Sequence, residues 1–181
     1  MDPRLNQSGC TLIVLAEWKA PVYQNAVTLI TSSIRRNGPA NIDSKIHHNN
    51  LINNILAKIE ANNAGADDAL MLDNNGFVAE TNACNIFMIK NGMLFTPNAD
   101  ACLPGITRKT VITLCQQNNI PIHLKNISLA EMYNADQVFT TGTMGELTAV
   151  KMIDGRAIIN RSGTDLLQHI NDLFRNLTLA L

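Results

Sequence analysis

At 181 residues the chain has the size of one domain able to bury a substantial core. Its 14 Lys and Arg stand against 15 Asp and Glu, so no excess of positive charge marks it for nucleic acid. No apolar run approaches the length of a membrane span, and no apolar core follows Met1-Asp2-Pro3-Arg4, which together point to a cytoplasmic chain with no membrane partner.

Residues 10–18 (CTLIVLAEW) are apolar and rich in β-branched side chains, and predict a strand that Pro21 breaks. Residues 26–34 predict a second strand, which ends in the loop Arg35-Arg36-Asn37-Gly38-Pro39. After a polar joint, Leu51, Ile52, Ile55, Leu56 and Ile59 recur at helical spacing up to a stop at Gly65. Residues 68–73 then read as a buried strand. Asn75-Gly76 and Asn91-Gly92 lie between apolar runs and mark two hairpins, the second joining residues 85–90 to residues 93–96.

Residues 105–117 predict a helix with Val111, Ile112, Leu114 and Cys115 on its apolar side. Residues 120–124 suit an edge strand, because Pro121 cannot donate to a ladder. Ser128 and Glu131 have capping-box spacing ahead of a short helix over residues 129–134. Residues 136–141 and 147–152 predict strands on either side of Gly142-Thr143-Met144-Gly145, and Asp154-Gly155 turns the second. An amphipathic helix over residues 163–181 closes the chain. Frequent hairpins without a regular βαβ repeat argue for a mixed α/β fold built on an irregular, largely antiparallel sheet.

The chemistry concentrates in residues 75–108. Glu80 is the only acid between Gly76 and Ile89. The hexapeptide Leu103-Pro104-Gly105-Ile106-Thr107-Arg108 ends in a helix start, where a glycine admits close backbone approach and unpaired amides face outward, a suitable anion site. The Gly142-to-Gly145 loop, with its hydroxyl and two glycines, is a second such place, or simply a tight corner. The four cysteines lack metal-ligand spacing and read as reduced, mostly buried side chains. The adjacent His47-His48 has no further ligands spaced around it, so no metal is expected. Seven lysines are present, and composition alone chooses none of them.

Three blocks, Glu80 with Asn85-Ile86-Phe87, the hexapeptide ending at Arg108, and Thr141-Gly142-Thr143-Met144-Gly145-Glu146, resemble in order and spacing the signatures of class IV aminotransferases. The resemblance spans roughly residues 32–156. It implies the pseudo-barrel large domain of that pyridoxal 5′-phosphate family, with the small N-terminal domain absent from this chain. Lys45, in a loop just before a helix, matches the lysine that binds the cofactor and moves the substrate proton. Glu80 would pair with the ring nitrogen, with Asn85 beside it. Ile106, Thr107, Gly142 and Thr143 would hold the phosphate side, and Thr143, Met144 and Arg36 would lie near the substrate. The family's usual Asn-Tyr after the lysine is Asn49-Asn50 here. The implied activity is transfer of an amino group between an amino acid, on the branched-chain side of the family, and a 2-oxo acid such as 2-oxoglutarate, by a homodimer. A lyase like 4-amino-4-deoxychorismate lyase and a truncated non-catalytic relative remain open alternatives.

Overall fold

The computed structural model describes residues 2–6, 8–19 and 25–180. In chain order the main elements are β1 (Val27–Thr31), α1 (Ile52–Asn63), β2 (Asp68–Leu72), β3 (Val78–Thr81), β4 (Asn85–Lys90), β5 (Met93–Thr96), α2 (Ile106–Gln117), β6 (Ile122–Leu124), α3 (Leu129–Tyr133), β7 (Gln137–Gly142), β8 (Glu146–Ile153), β9 (Arg156–Ala157) and α4 (Leu166–Leu179). The strands form one sheet in the order β3-β2-β1-β8-β7-β4-β5-β6, with β9 on β8. Pairings are antiparallel except β1 with β2, β1 with β8 and β5 with β6.

β3 and β4 stand far apart in this order yet follow one another in the chain. The Thr81 N–H donates to the Cys84 carbonyl at 2.8 Å across their connection, so the sheet curls back on itself. The Asn-Gly turns explain the tight reversals: Gly76 has φ 86°, and Asn91 and Gly92 have φ 51° and 72°, the left-handed pair that a two-residue hairpin demands. β6 is the edge that Pro121 predicts.

Alternation along β4 feeds two cores. Ile86 and Met88 join Val27, Leu29, Leu70 and Val138 on one face. Phe87 and Ile89 join Val111, Leu114, Phe139, Ile170 and Phe174 on the other, beneath α2 and α4. Phe87 and Phe139, register partners on β4 and β7, stack with centroids 5.0 Å apart. The central strands are thereby sandwiched, and their C-terminal and N-terminal ends carry the loops described below.

Two expectations change. Residues 10–18 form no strand: Leu12, Ile13, Val14, Leu15 and Trp18 are exposed, and no ladder partner lies beside them among the described residues. A β-branched run becomes a strand only where another backbone pairs with it. Pro21, expected to break that strand, lies outside the described residues. The apolar stripe of α1 also faces outward, with Ile52, Ile55, Leu56 and Ile59 all exposed. The helix instead buries Ala57 and Ala61 against Ala69 and Met71, since small side chains let it sit close on β2. Cys10 is exposed, whereas Cys102 and Cys115 are buried and all four cysteines are free. No helix among the described residues is long and apolar enough to cross a membrane.

Candidate active site

A cleft of about 510 Å³ opens where the β3–β4 connection, the start of α2 and the β7–β8 turn converge. That volume falls in the range typical of small-molecule sites, roughly 300–1,000 Å³. Lys45, Glu80, Asn85, Ile106, Thr107, Gly142 and Thr143 all line it. They come from four separated stretches of sequence, and the curl of the sheet brings them together. His47 and Thr141 line it as well.

Glu80 sits on β3 with its side chain only 6% exposed. Its Oε1 accepts from Arg36 Nη2 at 2.6 Å and from the Leu103 amide at 3.1 Å. Its Oε2 accepts from Asn85 Nδ2 at 2.9 Å. Burial pushes the Glu80 carboxyl up to about 7, against the downward pull of Arg36, the Leu103 amide and Arg108. Asn85 Nδ2 also donates to the Leu103 carbonyl at 2.7 Å, tying β4 to the segment that enters α2.

Gly105 is the N-cap of α2 and supplies no side-chain cap, so the first amides of a twelve-residue helix are left without an intrahelical partner. Glycine is required here by space. A Cβ on Gly105 would lie 2.2 Å from Asn85 Oδ1. Behind the helix start, the buried Arg108 guanidinium donates to the Pro97 carbonyl at 2.8 Å and to Thr96 Oγ1 at 3.4 Å, which fixes the loop before α2. On the opposite wall, β7 and β8 are joined through Thr143, Met144 and Gly145, with Gly142 paired to Glu146. A Cβ on Gly142 would come within 3.0 Å of Cys84 Sγ, so this turn packs on the β3–β4 connection.

Lys45 precedes α1 in an irregular loop, its side chain 42% exposed and its Nζ 3.4 Å from Asp43. Lys45 nonetheless lines the cleft. Cys84, close to the cleft, makes a poor nucleophile, because burial and then the charges of Asp68 and Glu80 push its thiol up to about 11. Among the described residues no group of His, Cys, Asp and Glu could hold a metal ion.

Two residues expected near a substrate do not line the main cleft. Arg36, which the resemblance implies near the substrate, has a side chain 10% exposed and pairs with the buried Glu80 carboxylate. Met144 is exposed and lines a neighbouring hollow of about 180 Å³, not the main cleft. Conversely, three features of the site escape sequence reading: the Arg36–Glu80 ion pair, the Asn85–Gly105 contact, and the Thr141 hydroxyl, buried beside the cleft without a hydrogen-bond partner. A lone acid in an apolar strand was the available signal for the first, since such a group requires a counter-charge.

The fold and the cleft define a member of the class IV aminotransferases: residues 4–153 match the sequence profile of the family amino-transferase class IV, and the chain belongs to it. Among curated relatives, it is 56% identical over 180 residues to branched-chain-amino-acid aminotransferase-like protein 2 of Arabidopsis thaliana, which covers 98% of this chain and 32% of that protein. Among solved structures, the branched-chain aminotransferase of Thermoproteus uzoniensis with norvaline superimposes with a TM-score of 0.81 at 35% identity, covering 86% of this chain and 52% of that one. An aminotransferase from Brucella abortus bound to the cofactor PLP superimposes with a TM-score of 0.82 at 28% identity, covering 89% and 57%. The chain thus spans about a third of the Arabidopsis relative and about half of these solved chains.

Proposed function

We propose that the chain is the large, cofactor-holding domain of a pyridoxal 5′-phosphate-dependent aminotransferase that moves an amino group from a branched-chain amino acid to a 2-oxo acid such as 2-oxoglutarate. One observation carries this reading. A single cleft gathers an amine, a buried carboxylate, an uncapped helix start and a hydroxyl-bearing turn from separate blocks of sequence. The donors fit the cofactor's chemistry group by group. Unpaired amides at Ile106 and Thr107 and the hydroxyls of Thr107 and Thr143 suit a phosphate. The buried Glu80 suits a cationic ring nitrogen, and the orphaned Thr141 hydroxyl leaves a polar group in the wall for a ligand to satisfy.

When bound, pyridoxal phosphate supplies an electron sink for bonds at the α-carbon of an amino acid. The residues of this chain do the rest. Lys45 would hold the cofactor through its amine, and that amine would serve as the base that carries the proton at the substrate α-carbon. Glu80 keeps a proton on the ring nitrogen, and Asn85 fixes the carboxylate that does so. The start of α2 and Thr143 would anchor the phosphate. Met144, in the neighbouring hollow that shares Gly142 and Thr143 with the cleft, would meet a substrate only at the rim.

Helix α1 carries an outward apolar stripe, and residues 12–15 add another exposed apolar run. Such surface suits burial against a second copy and the remainder of a longer enzyme, in keeping with a homodimer. The reading is tested by supplying the protein with pyridoxal phosphate, leucine and 2-oxoglutarate and measuring glutamate. Glutamate formation that depends on both substrates is expected. Pyruvate release from aminodeoxychorismate with no acceptor present would instead assign the lyase chemistry.

A further inference from the structure

We propose that Arg36, held from α1 by Asn54, is a positioning residue for Glu80: it keeps the buried carboxylate ionised and aimed across the cleft. The inference rests on the reading of the cleft as a pyridoxal phosphate site and assigns Arg36 a role distinct from substrate binding. Arg36 Nη2 meets Glu80 Oε1 at 2.6 Å, with both side chains nine-tenths buried. Its Nη1 donates to Asn54 Oδ1 at 2.8 Å. Asn54 Nδ2 in turn donates to the Asn82 carbonyl at 2.7 Å. The planar guanidinium fork is thereby fixed in two directions at once, which a lysine cannot match. The result is one polar chain running from the residue after β3, through α1, Arg36 and Glu80, to Asn85 and the Leu103 carbonyl ahead of α2.

The other groups around Glu80 do not replace Arg36. Arg108, from α2, pulls on the carboxylate without an ion-pair contact, and its Nε and Nη2 donate instead to Thr96 and Pro97. Lys45 lies against Asp43, while Arg35 donates to the Ser32 carbonyl at 3.3 Å. Cys84 and Cys102 are thiols that burial first, and Glu80 among nearby charges, push upward, and they contribute no positive charge. His47 lines both the main cleft and a second cavity of about 240 Å³ behind Glu80, in which Arg36, His48 and Asn54 also take part. Among the described residues, Arg36 is the one cation in ion-pair contact with Glu80. Burial already raises this carboxyl to about 7 against the pull of Arg36, so without that contact it holds its proton to higher pH still. It then becomes a hydrogen-bond donor, unable to stabilise positive charge on a ring nitrogen. Because Asn54 lies in α1, the helix that Lys45 leads into, a shift of that helix also reaches Glu80.

The test is a carboxyl titration of the cofactor-free chain carrying carbon-13 glutamate, followed by NMR, with the Glu80 signal assigned by its loss in Glu80→Gln. In Arg36→Met the Glu80 midpoint should rise by about one to three pH units, the usual effect of losing an adjacent opposite charge. Asn54→Ala should raise it less, because the charge stays while its aim is lost, and Arg36→Lys should fall between wild type and Arg36→Met. An unchanged midpoint in folded Arg36→Met overturns the proposal. If that variant does not fold, unchanged midpoints in both Asn54→Ala and Arg36→Lys overturn it. A parallel absorbance titration with pyridoxal phosphate separates the two claims: a wild-type chain that takes up none would sink the reading of the cleft, whatever the Glu80 midpoint does.

Discussion

At the scale of single residues, the site depends on close approaches that only particular side chains permit. Gly105 is the sharpest case, because Asn85 occupies the space a side chain would need. Gly105→Ala should force Asn85 to swing away and surrender its bonds to Glu80 and the Leu103 carbonyl. Overpacking of this kind costs about 1–3 kcal/mol. Urea denaturation should show that loss, and pyridoxal phosphate affinity should fall at least tenfold, or about 1.4 kcal/mol. Adding Asn85→Ala to Gly105→Ala should return part of the stability without returning the affinity. Equal stability and affinity in Gly105→Ala and wild type would show that the contact is slack. Lys45 illustrates the other extreme. Its side chain is 42% exposed with Nζ 3.4 Å from Asp43, a loose setting compatible with the proposed role of holding a cofactor and carrying a proton.

At the scale of elements, local chemistry was legible and long-range chemistry was not. The hairpin glycines, the start of α2 and the Ser128–Glu131 capping box lie where the sequence places them, because each is decided within a few residues. Helix α1 is legible from its spacing, but which face it buries is not, and the run at residues 10–18 forms no strand, because both depend on what packs against them, which no local pattern contains. The Arg36–Glu80 pair is hidden for the same reason: it joins residues far apart in sequence. The capping box on α3 offers a pH test of the local kind. Glu131 accepts from the Ser128 amide at 2.9 Å and pairs with Lys125, and these contacts, Lys125 first, pull its carboxyl down to about 2. A depressed carboxyl contributes stability that is present above its ordinary value of 4.5 and lost as pH falls through about 2. The group is 41% exposed, so water screens the pair and its worth should stay below about 1 kcal/mol. The stability gap between wild type and Glu131→Gln should therefore be small at pH 6 and shrink towards pH 2. A gap that does not change with pH would show that the ionised carboxylate is not what caps the helix.

At the scale of the whole molecule, a curled nine-stranded sheet brings four separated stretches to one cleft. Three blocks and a lysine could be recognised in the sequence as belonging together, but only the curl shows why: β3 and β4, distant in the strand order, meet at their connection beside the start of α2. The central claim is that this cleft holds pyridoxal phosphate through Lys45. It is tested most directly by adding the cofactor, reducing with borohydride and mapping the modified peptide by mass spectrometry. The account predicts one phosphopyridoxyl group on the peptide that contains Lys45, and its loss in Lys45→Ala. Label on another lysine while Lys45 stays free, or label unchanged in Lys45→Ala, would contradict it.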